Sequence, residues 1–347
     1  YAAFKHGPLH LKSQYIHEDV FKGGRNFGYL WLPATHPYYS GTGIFAPKTL
    51  AERDVKKGLV FSSWRFVPRM LAAEVNEQRM LHFKSVPKKK TPLKATPVTW
   101  AKLFFPSRFL AGSLSHQEFV KARSFEKLLR IARSSIRKQL REARIEVKER
   151  GDKPWKVVRY MDWLLHPEEC KRVSRLYSKD RSVGHRKTRA MEPRYFRAIS
   201  QFGEKPIASE RTIDGLARMA IASPSVCLLR SLGTLRTDTQ KHWEAIALFC
   251  IHDIKNYLNR PSTYDAVFTG FRQGRYADQV EAYFSNGNIQ AVFDEFLFFI
   301  SQGSPTAERC LNVMRATLGS HGGSVQIRLE GRKRKRIATD IAVLFGE

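Results

Sequence analysis

Between residues 125 and 147 apolar side chains recur at intervals of three and four: Phe125, Leu129, Ala132, Ile136, Leu140, Ala143 and Val147. That spacing places all seven on one face of an α-helix about 35 Å long. A second helix is predicted in NGNIQAVFDEFLFFISQG, where Ile289, Val292, Phe293, Phe296, Leu297 and Ile300 form the stripe. Asn288 or a neighbour would cap its start and Gly303 would stop it. SPSVCLLRSL and HWEAIALFCIHDIKNYL read as further helices, the latter ending before Pro261.

The two ends of the chain carry a different pattern. LVFS at 59–62 is continuously apolar, as a parallel strand covered on both faces would be. Ser62 or Ser63 can cap the helix after it, Pro68 falls in the first turn, and Val67, Leu71 and Val75 line one face. Near the other end SVQIRLEG and IATDIAVLF alternate, with Val325, Ile327 and Leu329 and then Ile337, Thr339, Ile341, Val343 and Phe345 on one face. The basic run GRKRKR separates them as a turn. The expected fold class is therefore α/β, a partial lobe built on a parallel sheet and interrupted by a large, mostly α-helical insertion. Its divisions are an extended connector at 1–52, the first strand and helix at 53–85, the insertion at 86–322 and the returning strands at 323–347.

Charge changes the picture from scaffold to partner. Sixty Lys and Arg against 32 Asp and Glu give a formal charge of +28, which draws phosphate polyanions over long range. Arg130, Arg133, Arg137, Arg141, Arg144 and Lys148 repeat at helical spacing beside the apolar stripe. Such a row is either a solvated helix flank or a ridge that tracks phosphates; few acids stand at i±4 to neutralise it. SKDRSVGHRKTRAMEPR at 178–194 has no period and reads as a basic loop, with Arg186 and Lys187 as candidate contacts. Nucleic acid is the expected partner, DNA ahead of RNA.

Other chemistries find little support. No run of 18 apolar residues marks a membrane span. Cys170, Cys227, Cys250 and Cys310 are isolated, as reduced thiols of a cytoplasmic protein would be. His166 and Cys170 stand one helical turn apart without a second pair of ligands, so packing accounts for them. SGTGIFAPKT imitates a phosphate loop, but Pro47 occupies the position of the Gly before Lys48. Asp294 and Glu295 fall within a helix and read as exposed helix charges. His6, His10, His17 and His36 show no ligand spacing. Neither a catalytic residue nor a metal site is assigned.

KGLVFSSWRFVPRML at 57–71 resembles the motif that opens the second RecA-like lobe of superfamily-two helicases. With YLWLPATHPYY before it and TPVTWAKLFFPSRFLAG, ASPSVCLLRSL, NGNIQAVFDEFLFFI and IATDIAVLFGE after it, the order of segments is similar to large bacterial helicase-related proteins with a helical insertion in that lobe. The resemblance implies the middle of an ATP-driven helicase or translocase, serving DNA repair or phage defence. ATP and Mg would be held by a lobe preceding Tyr1, and an arginine finger would follow Phe345. Ser62, Ser63, Trp64 and Arg65, at the carboxyl end of the first strand, would face nucleic acid, Trp64 stacking on a base or packing in the core and Arg65 contacting phosphate or a surface acid. Two readings stand beside the motor: a non-catalytic basic nucleic-acid-binding module, and a helical scaffold whose cations meet the acids of a partner protein.

Overall fold

The computed structural model describes residues 14–22, 36–55, 102–171, 204–233 and 276–301, with residues 26, 34, 71 and 74 besides. Its helices are α1 (Pro47–Glu52), α2 (Arg108–Gly112), α3 (His116–Ala122), α4 (Phe125–Glu142), α5 (Pro154–Leu165), α6 (Glu210–Ala222), α7 (Pro224–Leu232), α8 (Tyr276–Asn286) and α9 (Ile289–Ser301).

The α/β, RecA-like expectation is corrected here. Helices pack on helices, and the described residues contain no strand, only two isolated parallel bridges, Tyr39 with Arg123 and Val147 with Ala208. The apolar run at 59–62 has no period of its own, and such a run suits a buried helix as well as a covered strand. It lies outside the described residues, as do the alternating segments at 323–347. Leu71, the one described member of the stripe that followed the run, is helical and buried.

Local sequence explains where the helices begin and end. Ser107, Ser124 and Ser209 each accept a backbone N–H from the first turn of α2, α4 and α6, and Ser115 with Glu118 makes a reciprocal capping box on α3. Pro154 and Pro224 open α5 and α7, where a missing N–H costs little. α4 stops five residues short of the expected Val147. Arg144 turns left-handed (φ 55°), its N–H reaches Arg141 O at 2.8 Å, and Ile145 N reaches Leu140 O at 2.8 Å. This is a Schellman closure with arginine at the position glycine usually holds. Val147 accordingly leaves the stripe and is exposed.

α6 occupies the centre, packed on α2, α4, α5, α7 and α8. Leu128, Leu129, Ala132, Ile136 and Leu140 of α4 share one core with Ile213, Leu216, Ala217 and Ala220 of α6. α7 is buried along its whole length, the polar Ser225, Arg230 and Ser231 included. No single described helix is long and apolar enough to cross a membrane, and α6 and α7 bend by 56° at Ser223.

The segment expected as a connector belongs to this core. Tyr39 and Phe45 are buried in it. Asn288, at the α8–α9 turn, grips the backbone of Tyr39 with both ends of its amide, accepting from Tyr39 N at 3.1 Å and donating to Tyr39 O at 2.9 Å. Tyr39 Oη donates to Ser285 O at 2.7 Å, and the Phe45 ring meets Tyr283 edge-on at 5.1 Å.

Candidate nucleic-acid interface

α4 presents its basic residues in two rows with different surroundings. The row read from the sequence is partly spent on α6. Arg133 donates through Nε (3.0 Å) and Nη2 to Asp214, which Arg218 also holds at 3.0 Å. Burial raises the Asp214 carboxyl, but the guanidinium groups of Arg133 and Arg218 outweigh it and leave the pKa below the ordinary value. Arg137 reaches Glu210, at the start of α6, at 2.5 Å. Neutralisation comes across the helix–helix contact rather than from i±4 on the same helix.

The cations not drawn to α6 lie further round the cylinder, Lys127 Nζ donating to Lys121 O at 3.1 Å. At about 100° per residue, Lys127, Arg130, Ser134, Lys138 and Arg141 fall in one narrow strip, and all five are exposed. Arg130 and Arg141 belong to the row read from the sequence; Lys127 and Lys138 do not. Lys138 has Glu142 at 4.0 Å, an exposed contact of little strength. The strip spans about 21 Å of helix, and Arg144 extends it past the left-handed turn.

Beyond that turn, residues 145–152 run beside 206–209. Lys148 N donates to Ala208 O at 2.9 Å, Ala208 N to Glu146 O at 2.9 Å, and Asp152 N to Ile207 O at 2.7 Å. A Cβ on Gly151 would sit 2.4 Å from Ser209 N, so only glycine permits this approach. The Lys148 ammonium is held at 2.7 Å by Glu146, a hydrogen bond that draws the Glu146 carboxyl below its usual range. Of the candidate contacts, then, Arg130 and Arg141 stand exposed on the strip, Arg144 at its end, and Arg133, Arg137 and Lys148 in ion pairs. Ser62, Ser63, Trp64, Arg65, Arg186 and Lys187 lie outside the described residues.

The other concentration of polar chemistry is internal. Asp294, read from the sequence as an exposed charge, is mostly covered, with its side chain 17% exposed. Its carboxylate accepts Tyr38 Oη at 2.7 Å, Ser231 Oγ at 2.5 Å and Gln290 Nε2 at 3.0 Å, and His116 Nε2 lies at 3.0 Å. Burial pushes the carboxyl up, yet the contact with His116 and the hydroxyl donors hold it below its ordinary value. Desolvation and the neighbouring carboxylate raise the Tyr38 phenol. His116 and Ser231 both address Asp294 Oδ1, so the histidine lines up on the acid rather than on the serine hydroxyl. The set orients helices; it does not activate a nucleophile in the manner of a Ser–His–Asp array.

Gln290 links this cluster to Arg230, which donates to Gln290 Oε1 at 2.6 Å, to Ala220 O at 2.8 Å and to Leu110 O and Ala111 O at 3.1 Å. The guanidinium thus satisfies carbonyls at the C-terminal ends of α2 and α6 and lies 5.1 Å from the Phe119 ring centre. These partners stand up to 256 residues from Asp294 and 120 from Arg230, so no local signal announced them. The continuation of the α4 strip through Lys127 and Lys138 was readable from spacing alone. His166 and Cys170 occupy one helical turn, Cys170 N donating to His166 O at 3.1 Å. Among the described residues no three His, Cys, Asp or Glu side chains gather as a metal set. Compared with family models, curated proteins and solved structures, the chain matches none.

Proposed function

We propose that the chain is a basic nucleic-acid-binding module that grips the phosphate backbone, of DNA in the first instance, through the outer strip of α4. The observation that carries the reading is the placement of Lys127, Arg130, Lys138 and Arg141 on one exposed line of a rigid helix in a chain of charge +28. A line of fixed cations releases counterions from a polyanion without reading base sequence. The motor reading took its geometry from a parallel sheet; without one among the described residues, nothing in the arrangement of the site favours it over simple binding.

Four cations on the strip contribute about −3.6 to the slope of log K against log salt on duplex DNA. The double variant Arg130→Gln/Arg141→Gln should make the slope shallower by about 1.8 and weaken binding equally on unrelated sequences. Fluorescence anisotropy with two duplexes of different sequence, titrated over salt, measures both effects. An unchanged slope would return the strip to the status of solvated surface. A complex that survives nuclease digestion and contains a stoichiometric protein would favour the scaffold reading instead.

A further inference from the structure

We infer that Glu210 is an internal competitor for the phosphates of the bound nucleic acid, occupying the Arg137 guanidinium until a phosphate displaces it. The inference rests on the binding role of α4 and adds a regulatory acid to it. Arg137 lies one helical turn from Arg141 and about 20° round the cylinder from Arg130, on the side toward α6. It borders the exposed strip closely enough to join it, yet its Nη2 is turned to Glu210 Oε2 at 2.5 Å. This pair is open to water, with Arg137 36% and Glu210 70% exposed. Contacts of that kind are weak and yield to a stronger anion.

The neighbouring pair behaves differently. Asp214 is held by two arginines, Arg133 and Arg218, and is only 31% exposed. It fastens α4 to α6 and is not released by a ligand. Two acids one helical turn apart on α6 therefore play separate parts, Asp214 as an anchor and Glu210 as a stand-in for phosphate. The strip in its unbound form shows four cations, and a fifth becomes available once the ligand has taken the place of Glu210.

The test uses the full chain and a fluorescein-labelled duplex DNA of about 20 base pairs, a length that covers the strip several times over. Anisotropy is measured for wild type, Glu210→Gln, Arg137→Gln and the double variant. Glu204→Gln, an exposed acid off α4, supplies the effect of one unit of net charge. Glu210→Gln should tighten binding about 1.5- to 5-fold beyond Glu204→Gln, and Arg137→Gln should abolish that excess. Asp214→Asn should instead lower the melting temperature without tightening binding. An excess gain that survives in the Arg137→Gln background, or no excess at all, overturns the competitor role while leaving the binding reading intact. If Arg130→Gln/Arg141→Gln binds as wild type does, the binding reading fails and the competitor role fails with it.

Discussion

Replacing Arg230 with methionine keeps a long apolar stem and removes every donor of the guanidinium. Three acceptors lose a partner that nothing nearby replaces. Ala220 O would in a continuing helix receive the N–H of residue 224, but that residue is Pro224 and has none. Ala111 O would receive Ser115 N, which is engaged by Glu118 Oε2 at 2.5 Å. Gln290 Oε1 loses its 2.6 Å contact. Leu110 O suffers less, since Ser113 Oγ also donates to it at 2.7 Å. At about 1–3 kcal/mol for each buried group left unsatisfied, and with part recovered by relaxation, Arg230→Met should destabilise the fold by about 3–5 kcal/mol. Arg230→Lys, which keeps the charge without the planar fork, should recover part of that loss. Urea unfolding followed by tryptophan fluorescence, with Trp155 and Trp163 half-buried on α5, reads the midpoint and the slope. A methionine variant within about 1 kcal/mol of wild type at unchanged slope would refute the assignment of those carbonyls to Arg230.

Other expectations concern backbone, pH and reactivity. Gly151→Ala forces a Cβ against Ser209 N at 2.4 Å and should cost about 1–3 kcal/mol by parting 145–152 from 206–209; a change below about 0.5 kcal/mol in chemical denaturation would contradict that contact. Arg144→Gly, by relieving the left-handed φ of 55°, should raise stability by about 1 kcal/mol in the same assay. Because the Asp294 pKa is lowered in the folded chain, its contribution is present above the ordinary carboxyl value of about 3.9 and is lost as pH falls through the lower folded value. Asp294→Asn should therefore be less stable than wild type at neutral pH, and the two acid-unfolding curves should converge toward pH 3 and below; parallel curves would speak against the network. Burial pushes the Cys227 thiol up to about 12, so iodoacetamide should label it only at the rate of unfolding, measurable by mass spectrometry across a urea series.

Period was enough to find α4 and α9, because Leu129, Ala132, Ile136 and Leu140 of the one and Ile289, Val292 and Phe293 of the other are buried and the spacing of three and four is independent of what covers it. Their ends were less legible. The stop at Glu142 depends on a left-handed arginine, which no composition rule singles out where glycine is the usual residue. The α/β expectation fails because a short apolar run without a period suits a strand and a buried helix alike, and two alternating segments far along the chain complete the pattern of a sheet that the described residues do not form. The ion pairs of Arg133 and Arg137 were illegible for a related reason. Their acids, Asp214 and Glu210, come from 81 and 73 residues away and meet α4 only when α6 packs on it. Asp294 shows the same blindness from the other side: a carboxylate on a helix looks solvated until the helices that surround it are placed.

The clasp of Asn288 on Tyr39 closes a span of 249 residues, and the bond from Tyr38 to Asp294 closes one of 256. At a synthesis rate of about 5–20 residues per second, the stretch around Tyr39 leaves the ribosome roughly 12–50 s before its seat exists. For that interval Tyr39 lacks Asn288 and Ser285 and the Phe45 ring lacks Tyr283, while the flank of α7 that α9 will cover waits about 3–12 s from its own synthesis. Chain elongation therefore sets the earliest moment at which this protein can close, and a nascent chain stalled before residue 276 offers apolar surface to whatever holdase or neighbour reaches it first.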